Sequence, residues 1–86
     1  MTPHQARRAR TILKWSLSDT GNAARVSSRA VADLEEGRPV SRWTEAAIQS
    51  AYEAEYIRFV DTGWLAGGII RSRLRFTDEA YRASVH

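Results

Sequence analysis

The chain has 86 residues, carries 13 Lys and Arg against 10 Asp and Glu for a formal net charge of +3, and contains no cysteine. That length supports one small domain with a single, marginal core. The missing cysteines exclude a disulfide framework and any thiolate metal site; with no membrane-length apolar run and no secretory leader, a cytoplasmic protein is expected.

Thr2 and Pro3 form a helix start, as cap and first helical residue, and the helix is expected to run to about Trp15. Ala6, Ala9 and Leu13 make its inward stripe, with Ile12 a further candidate, while Arg7, Arg8 and Lys14 point to solvent. Arg10 lies close to the seam, and Trp15 reads as a core or hinge aromatic. Ser16 caps a second helix over about 17–24, and Asp19 favours the same end. Arg25 and Val26 leave room only for a turn. Ser27 then caps a third helix over about 28–36, which Gly37 stops. Val31 and Leu34 face inward there, with Ala30 at the edge; Ser28, Arg29, Ala32, Asp33 and Glu36 fall on the other side. Two short helices joined by a tight turn have the outline of a helix-turn-helix, whose second helix sits in a DNA major groove.

A proline-broken loop, Arg38 to Arg42, precedes a fourth helix starting near Ser41 or Trp43 and ending near Glu55, with Ala47, Ile48, Ala51 and Tyr52 as its apolar stripe. From Ile57 the period changes to two. Ile57 and Phe59 form a short strand; Asp61-Thr62-Gly63 and Gly67-Gly68 supply turn residues. A second strand follows, with Ile70, Ser72, Leu74 and Phe76 on one face and Ile69, Arg71, Arg73 and Arg75 on the other. The hairpin loop carries Trp64 and Leu65. A lone hairpin is marginal in water, so this one is expected to pack on the helices or pair with a second subunit. Thr77 caps a last short helix to about Ser84, whose Tyr81 and Val85 either face a partner or belong to a frayed terminus. The expected division is 1–56 for DNA binding and 57–86 for a hairpin and tail that dimerise through Ile57, Phe59, Ile70, Leu74 and Phe76.

Three stretches, ARRARTILKWS (6–16), ARVSSRAVADLEEG (24–37) and TEAAIQSAYEAEYIRFV (44–60), resemble the Xre-type, lambda-repressor-like family of DNA-binding domains. The likeness lies in Trp15-Ser16, in Ala23-Ala24-Arg25-Val26-Ser27 and in Leu34-Glu35-Glu36-Gly37, and it spans most of the chain. It implies a mainly α fold of four to five helices with a C-terminal β-hairpin and a short terminal helix. It also implies a structural ion pair between Arg10 and Glu35, and backbone contacts from the start of the second helix. Four positions depart from the family pattern: Leu17 replaces a glutamine, Thr20 a core leucine, Gly21 an alanine and Arg25 a turn glycine. Arg25 must then adopt a positive φ, which costs a non-glycine residue energy. The family's glycine stop near Tyr56 is also missing.

Charge agrees with this outline. Residues 1–42 hold eight Lys and Arg against four Asp and Glu, a balance of +4; residues 43–86 hold five against six, a balance of −1. The positive half contains the expected reading head, as counterion release at DNA phosphates favours. For base reading the residues are Ser28, Arg29, Ala32 and Asp33. Arg29 can donate twice to guanine; Asp33 can orient Arg29 one turn away or accept from a cytosine amine. Ser16, Leu17, Ser27, Arg38 and Arg42 are the expected DNA-backbone positions. The row Arg71, Arg73, Arg75 fits a phosphate grip, an acidic partner or a merely solubilising face, the last being simplest.

Catalysis and metal binding find no pattern: His4 and His86 sit at the ends, and no serine stands beside a base. No cofactor is expected. The expected function is a homodimeric transcriptional regulator, a repressor or autoregulator binding an inverted-repeat operator, of the kind found in phages, plasmids and other mobile elements. Two other functions share the fold. One is an antitoxin gripping a toxin through its C-terminal segment; the other is a protein-interaction module that has lost DNA reading.

Overall fold

A computed structural model describes residues 1–60 and 67–71. It is mainly helical, with four helices, α1 (Pro3–Leu13), α2 (Leu17–Ala24), α3 (Ser28–Glu35) and α4 (Arg42–Glu53), and two short strands, β1 (Ile57–Phe59) and β2 (Ile69–Arg71). Each helix starts on a hydroxyl cap. The Thr2, Ser16, Ser27 and Ser41 side chains accept from the backbone N–H three residues on, satisfying a donor that the first helical turn leaves unpaired. At α1 and α2 the pairing is reciprocal: Gln5 Oε1 accepts from the Thr2 N–H at 2.8 Å, and Asp19 Oδ2 accepts from the Ser16 N–H at 2.8 Å. These are capping boxes with Gln and Asp in the reciprocal place.

Helix ends are set by left-handed residues. Lys14 (φ 58°) stops α1, whose last residue Leu13 falls two short of the expected Trp15, and Arg25 (φ 59°) stops α2. α4 ends at Glu53 and not Glu55, where the N–H groups of Glu55 and Tyr56 turn to the carbonyls three residues back, and Tyr56 (φ 65°) closes that turn in place of a glycine. Among the described residues, three that are not glycine thus hold a conformation that crowds a Cβ. At both Lys14 and Arg25 the following N–H completes the reversal, Trp15 to the Arg10 carbonyl (3.1 Å) and Val26 to the Gly21 carbonyl (2.9 Å).

The core joins all four helices and the sheet. Ala6 and Ala9 of α1, Val31 and Leu34 of α3, Ile48 and Tyr52 of α4 and Ile57 of β1 are buried. Ile12 lies at the exposed rim of the α1 stripe, where its position next to the polar face keeps it out of the seam. Trp15 packs half-buried on this core, with its ring 6.0 Å from that of Tyr52. Thr20, standing where a leucine was expected, is fully buried and donates its hydroxyl to the Ser16 carbonyl at 3.3 Å. Gly21 is where α2 touches the turn that follows it: a Cβ there would stand 2.7 Å from the Val26 carbonyl oxygen and 3.2 Å from the Ser28 nitrogen.

The strands pair antiparallel, with Ile57 opposite Arg71, Arg58 opposite Ile70 and Phe59 opposite Ile69. Residues opposite one another share a face, so Ile69 joins Phe59 against the core and Ile70 points out. Ile69 and Ile70 thus lie on opposite faces, as expected, but Ile70 does not share the face of Ile57 and Phe59, with which it was grouped for dimerisation. Ile57 is wholly buried inside the protomer, so it is unavailable to a partner. Gln5 ties this sheet to α1, donating its amide to the carbonyls of Val60 (3.0 Å) and Gly68 (2.9 Å). The loop residues Trp64 and Leu65, the positions Ser72, Arg73, Leu74, Arg75 and Phe76, and the expected 77–84 helix with Tyr81 and Val85 lie outside the described residues.

Candidate nucleic-acid interface

The outward side of α3 is available because its inward side is fixed at three points. Val31 and Leu34 enter the core, and the Glu35 carboxylate, only 2% exposed, is held by α1. Arg10 grips it with two bonds, Nε to Oε2 at 2.6 Å and Nη2 to Oε1 at 3.0 Å, while its Nη1 donates to the Trp15 carbonyl at 3.1 Å. This two-pronged geometry is the strong form of the interaction. The hydrogen bond to Glu35 raises the Arg10 pKa, against an opposing effect of burial. Arg7, expected to be merely solvated, adds a longer contact to Glu35 Oε1 at 3.4 Å. The side chain of Tyr52 lies in the same interior. Its titration is pushed upward chiefly by burial, with Thr20 opposing, and its hydroxyl has no hydrogen-bond partner of good geometry among the described residues.

At the free end of α3, Ser28 and Arg29 are exposed, and Ala32 and Asp33 are half-buried one turn later. These four share a side of the helix, as their spacing requires. Asp33 is not the partner of Arg29. Its Oδ1 accepts from Arg38 Nη1 at 3.1 Å, and the same nitrogen contacts Glu36 Oε2. Arg29 has no ion pair among the described residues. Arg38, expected at the DNA backbone, is therefore already engaged on α3 itself.

The other backbone positions divide by physics. Ser27 Oγ accepts from the Ala30 N–H at 3.1 Å, which leaves its proton for an anion beside the start of α3. Arg42 is exposed on the first turn of α4, free to meet a phosphate. Ser16 and Leu17 are less suited. Leu17 packs against the core and offers no polar side-chain atom. Asp19 beside them is held ionised, its pKa lowered first by the Ser16 backbone N–H and then by the Ser16 hydroxyl; its charge opposes a phosphate at that helix start.

Trp43 was legible only as part of a helix start, yet it is the most exposed large apolar side chain described, at 86%. Of the hairpin positions expected to dimerise, Ile70 is exposed at 40% and Phe59 is half-buried, its ring 6.2 Å from that of Tyr52. Among the described residues no group of three His, Cys, Asp or Glu is placed to hold a metal ion, and no helix is long and apolar enough to cross a membrane. No protein-family model matches the chain, and neither does any curated protein or solved structure.

Proposed function

We propose that this protein is a sequence-specific DNA-binding transcriptional regulator of the cytoplasm, built on an Xre-type helix-turn-helix. In this reading α3 enters the major groove of double-stranded DNA, and a homodimer places two such helices on an inverted repeat with half-sites about one helical turn apart. Repression, including autoregulation, follows from occupying an operator. The observation that carries the proposal is Arg29: an exposed guanidinium without an ion-pair partner among the described residues, near the start of a helix clamped on its other side by Arg10 and Glu35. Ser28 stands beside it, and Arg25 and Arg42 add exposed positive charge before and after α3.

The deciding experiment is a binding titration against the DNA upstream of the protein's own reading frame, at two salt concentrations. Arg29→Ala is expected to lose about 1–3 kcal/mol of discrimination at one base pair, the size of a bidentate arginine–guanine contact. Binding that ignores sequence, with Arg29→Ala unchanged, would refute the proposal. An interaction module or antitoxin on the same framework is the alternative, favoured by the exposure of Trp43 and Ile70. It predicts that loss of Trp43, and not of Arg29, abolishes function.

A further inference from the structure

The end of α3 reverses sharply, and that reversal carries Arg38 back over its own helix. Gly37 sits at φ +78°, its N–H reaches the Leu34 carbonyl at 3.2 Å, and the Arg38 N–H reaches the Asp33 carbonyl at 2.8 Å. These paired bonds are the Schellman closure, which needs a residue tolerant of positive φ at its pivot. The closure returns the chain toward the outward side of α3, and the Arg38 guanidinium meets Asp33 and Glu36 there.

Those two carboxylates are three residues apart and therefore neighbours on one face. Unopposed, they would repel a DNA backbone drawn up to α3. Asp33 would also be free to turn to Arg29, its neighbour at i−4, and occupy the donors that Arg29 needs for a base. We infer that Arg38 is a positioning residue for DNA reading: it draws Asp33 off Arg29 and offsets the charge of Asp33 and Glu36, leaving Arg29 unpaired. This inference rests on the regulator reading above. Arg38 holds Asp33 through Oδ1 alone, so Oδ2 stays able to accept from the amine of cytosine or adenine. Arg38 thereby sets which part of α3 reads DNA without touching the DNA itself.

The test compares wild type, Arg38→Ala, the carboxylate-neutral pair Asp33→Asn/Glu36→Gln, and the triple variant in DNA titrations. Arg38→Ala is expected to weaken binding about two- to fivefold in the wild-type background at low salt, the range an exposed charge pair reaches. In the carboxylate-neutral background the same change is expected to have almost no effect. An equal loss in both backgrounds would mean that Arg38 contacts phosphate directly, and no loss in either would mean that it does nothing for binding; each result overturns the inference. A DNA-free arm follows the Arg29 side-chain N–H signals by NMR. In Arg38→Ala they are expected to shift as Asp33 takes up Arg29, and to stay put when Asp33 is Asn. Signals unmoved by Arg38→Ala overturn the capture of Asp33. If wild type binds no specific DNA, the regulator reading itself falls, while the NMR arm still decides whether Arg38 holds Asp33 away from Arg29.

Discussion

Removing either partner of the Arg10–Glu35 pair should not cost the same. The Glu35 side chain is 2% exposed and that of Arg10 is 23% exposed, so the carboxylate is the charge that water cannot rescue. Arg10→Met keeps the aliphatic stem but deletes both bonds to Glu35 and the donor to the Trp15 carbonyl. Breaking a buried pair this way costs about 3–5 kcal/mol, because a buried charge is left uncompensated. Arg7 is 58% exposed and already 3.4 Å from Glu35, so it can move in, and the lower end, about 3 kcal/mol, is expected. Glu35→Gln differs: a neutral, isosteric amide still accepts from Arg10, and the guanidinium reaches water, so the loss is about 1–2 kcal/mol. A chain of this length has about 4–13 kcal/mol of total stability. Arg10→Met therefore lowers the melting temperature by about 12 °C or more, and Glu35→Gln by roughly half that. Urea unfolding followed by circular dichroism, with calorimetry, measures both. Equal losses, or a larger one for Glu35→Gln, would refute the assignment of Glu35 as the stranded charge.

Three further substitutions have definite expected outcomes. Tyr52→Phe removes a buried hydroxyl without a good partner among the described residues and should leave stability unchanged or raise it by about 1 kcal/mol; a loss of that size in urea unfolding would place a real bond on Thr20. The Tyr52 pKa is raised in the folded state, so its contribution is complete below the unfolded value of about 10 and is lost as pH rises through the folded one; alkaline unfolding should begin later in Tyr52→Phe. Gly21→Ala gains about 1 kcal/mol of helix propensity but forces a Cβ against the Val26 carbonyl, an overpacking worth about 1–3 kcal/mol. It should be destabilised on balance and, under the proposed regulator function, should bind DNA less tightly because the turn before α3 must move; a higher melting temperature would refute this. For Asp19 the folded pKa is lowered, so its contribution is present above the unfolded carboxylate value and lost as pH falls through the folded one. The stability gap between wild type and Asp19→Asn should close in acid, and a gap constant from neutral to acid pH in thermal melts would count against the capping role.

The helical part of this fold was legible because its signals are local. A hydroxyl cap, an apolar stripe and a stop residue act within four positions of one another, which is why α2 and α3 were readable nearly to the residue. The Arg10–Glu35 pair came from the family likeness, since spacing alone cannot say that positions 25 apart meet. Three features escaped for physical reasons. Ile69 and Ile70 are adjacent and equally apolar, so only the pairing register decides which one packs inward. Gln5 reads as a polar helix residue, and its burial depends on carbonyls 55 and 63 residues away. The attachment of Asp33 to Arg38 instead of Arg29 depends on a left-handed pivot at Gly37, after which helical spacing no longer says where a side chain goes.

Gln5 also bears on how the molecule comes apart. One amide closes the first turn of α1 through Thr2 and seals the base of the strand pair through Val60 and Gly68. The start of the chain and the hairpin are consequently joined in a single opening event: neither can fray without stripping hydrogen bonds from the other. In hydrogen exchange their amides should open with a common free energy, as one cooperative unit apart from α2 and α3. A perturbation at residue 2 would then be felt at residue 60 sooner than at residue 29.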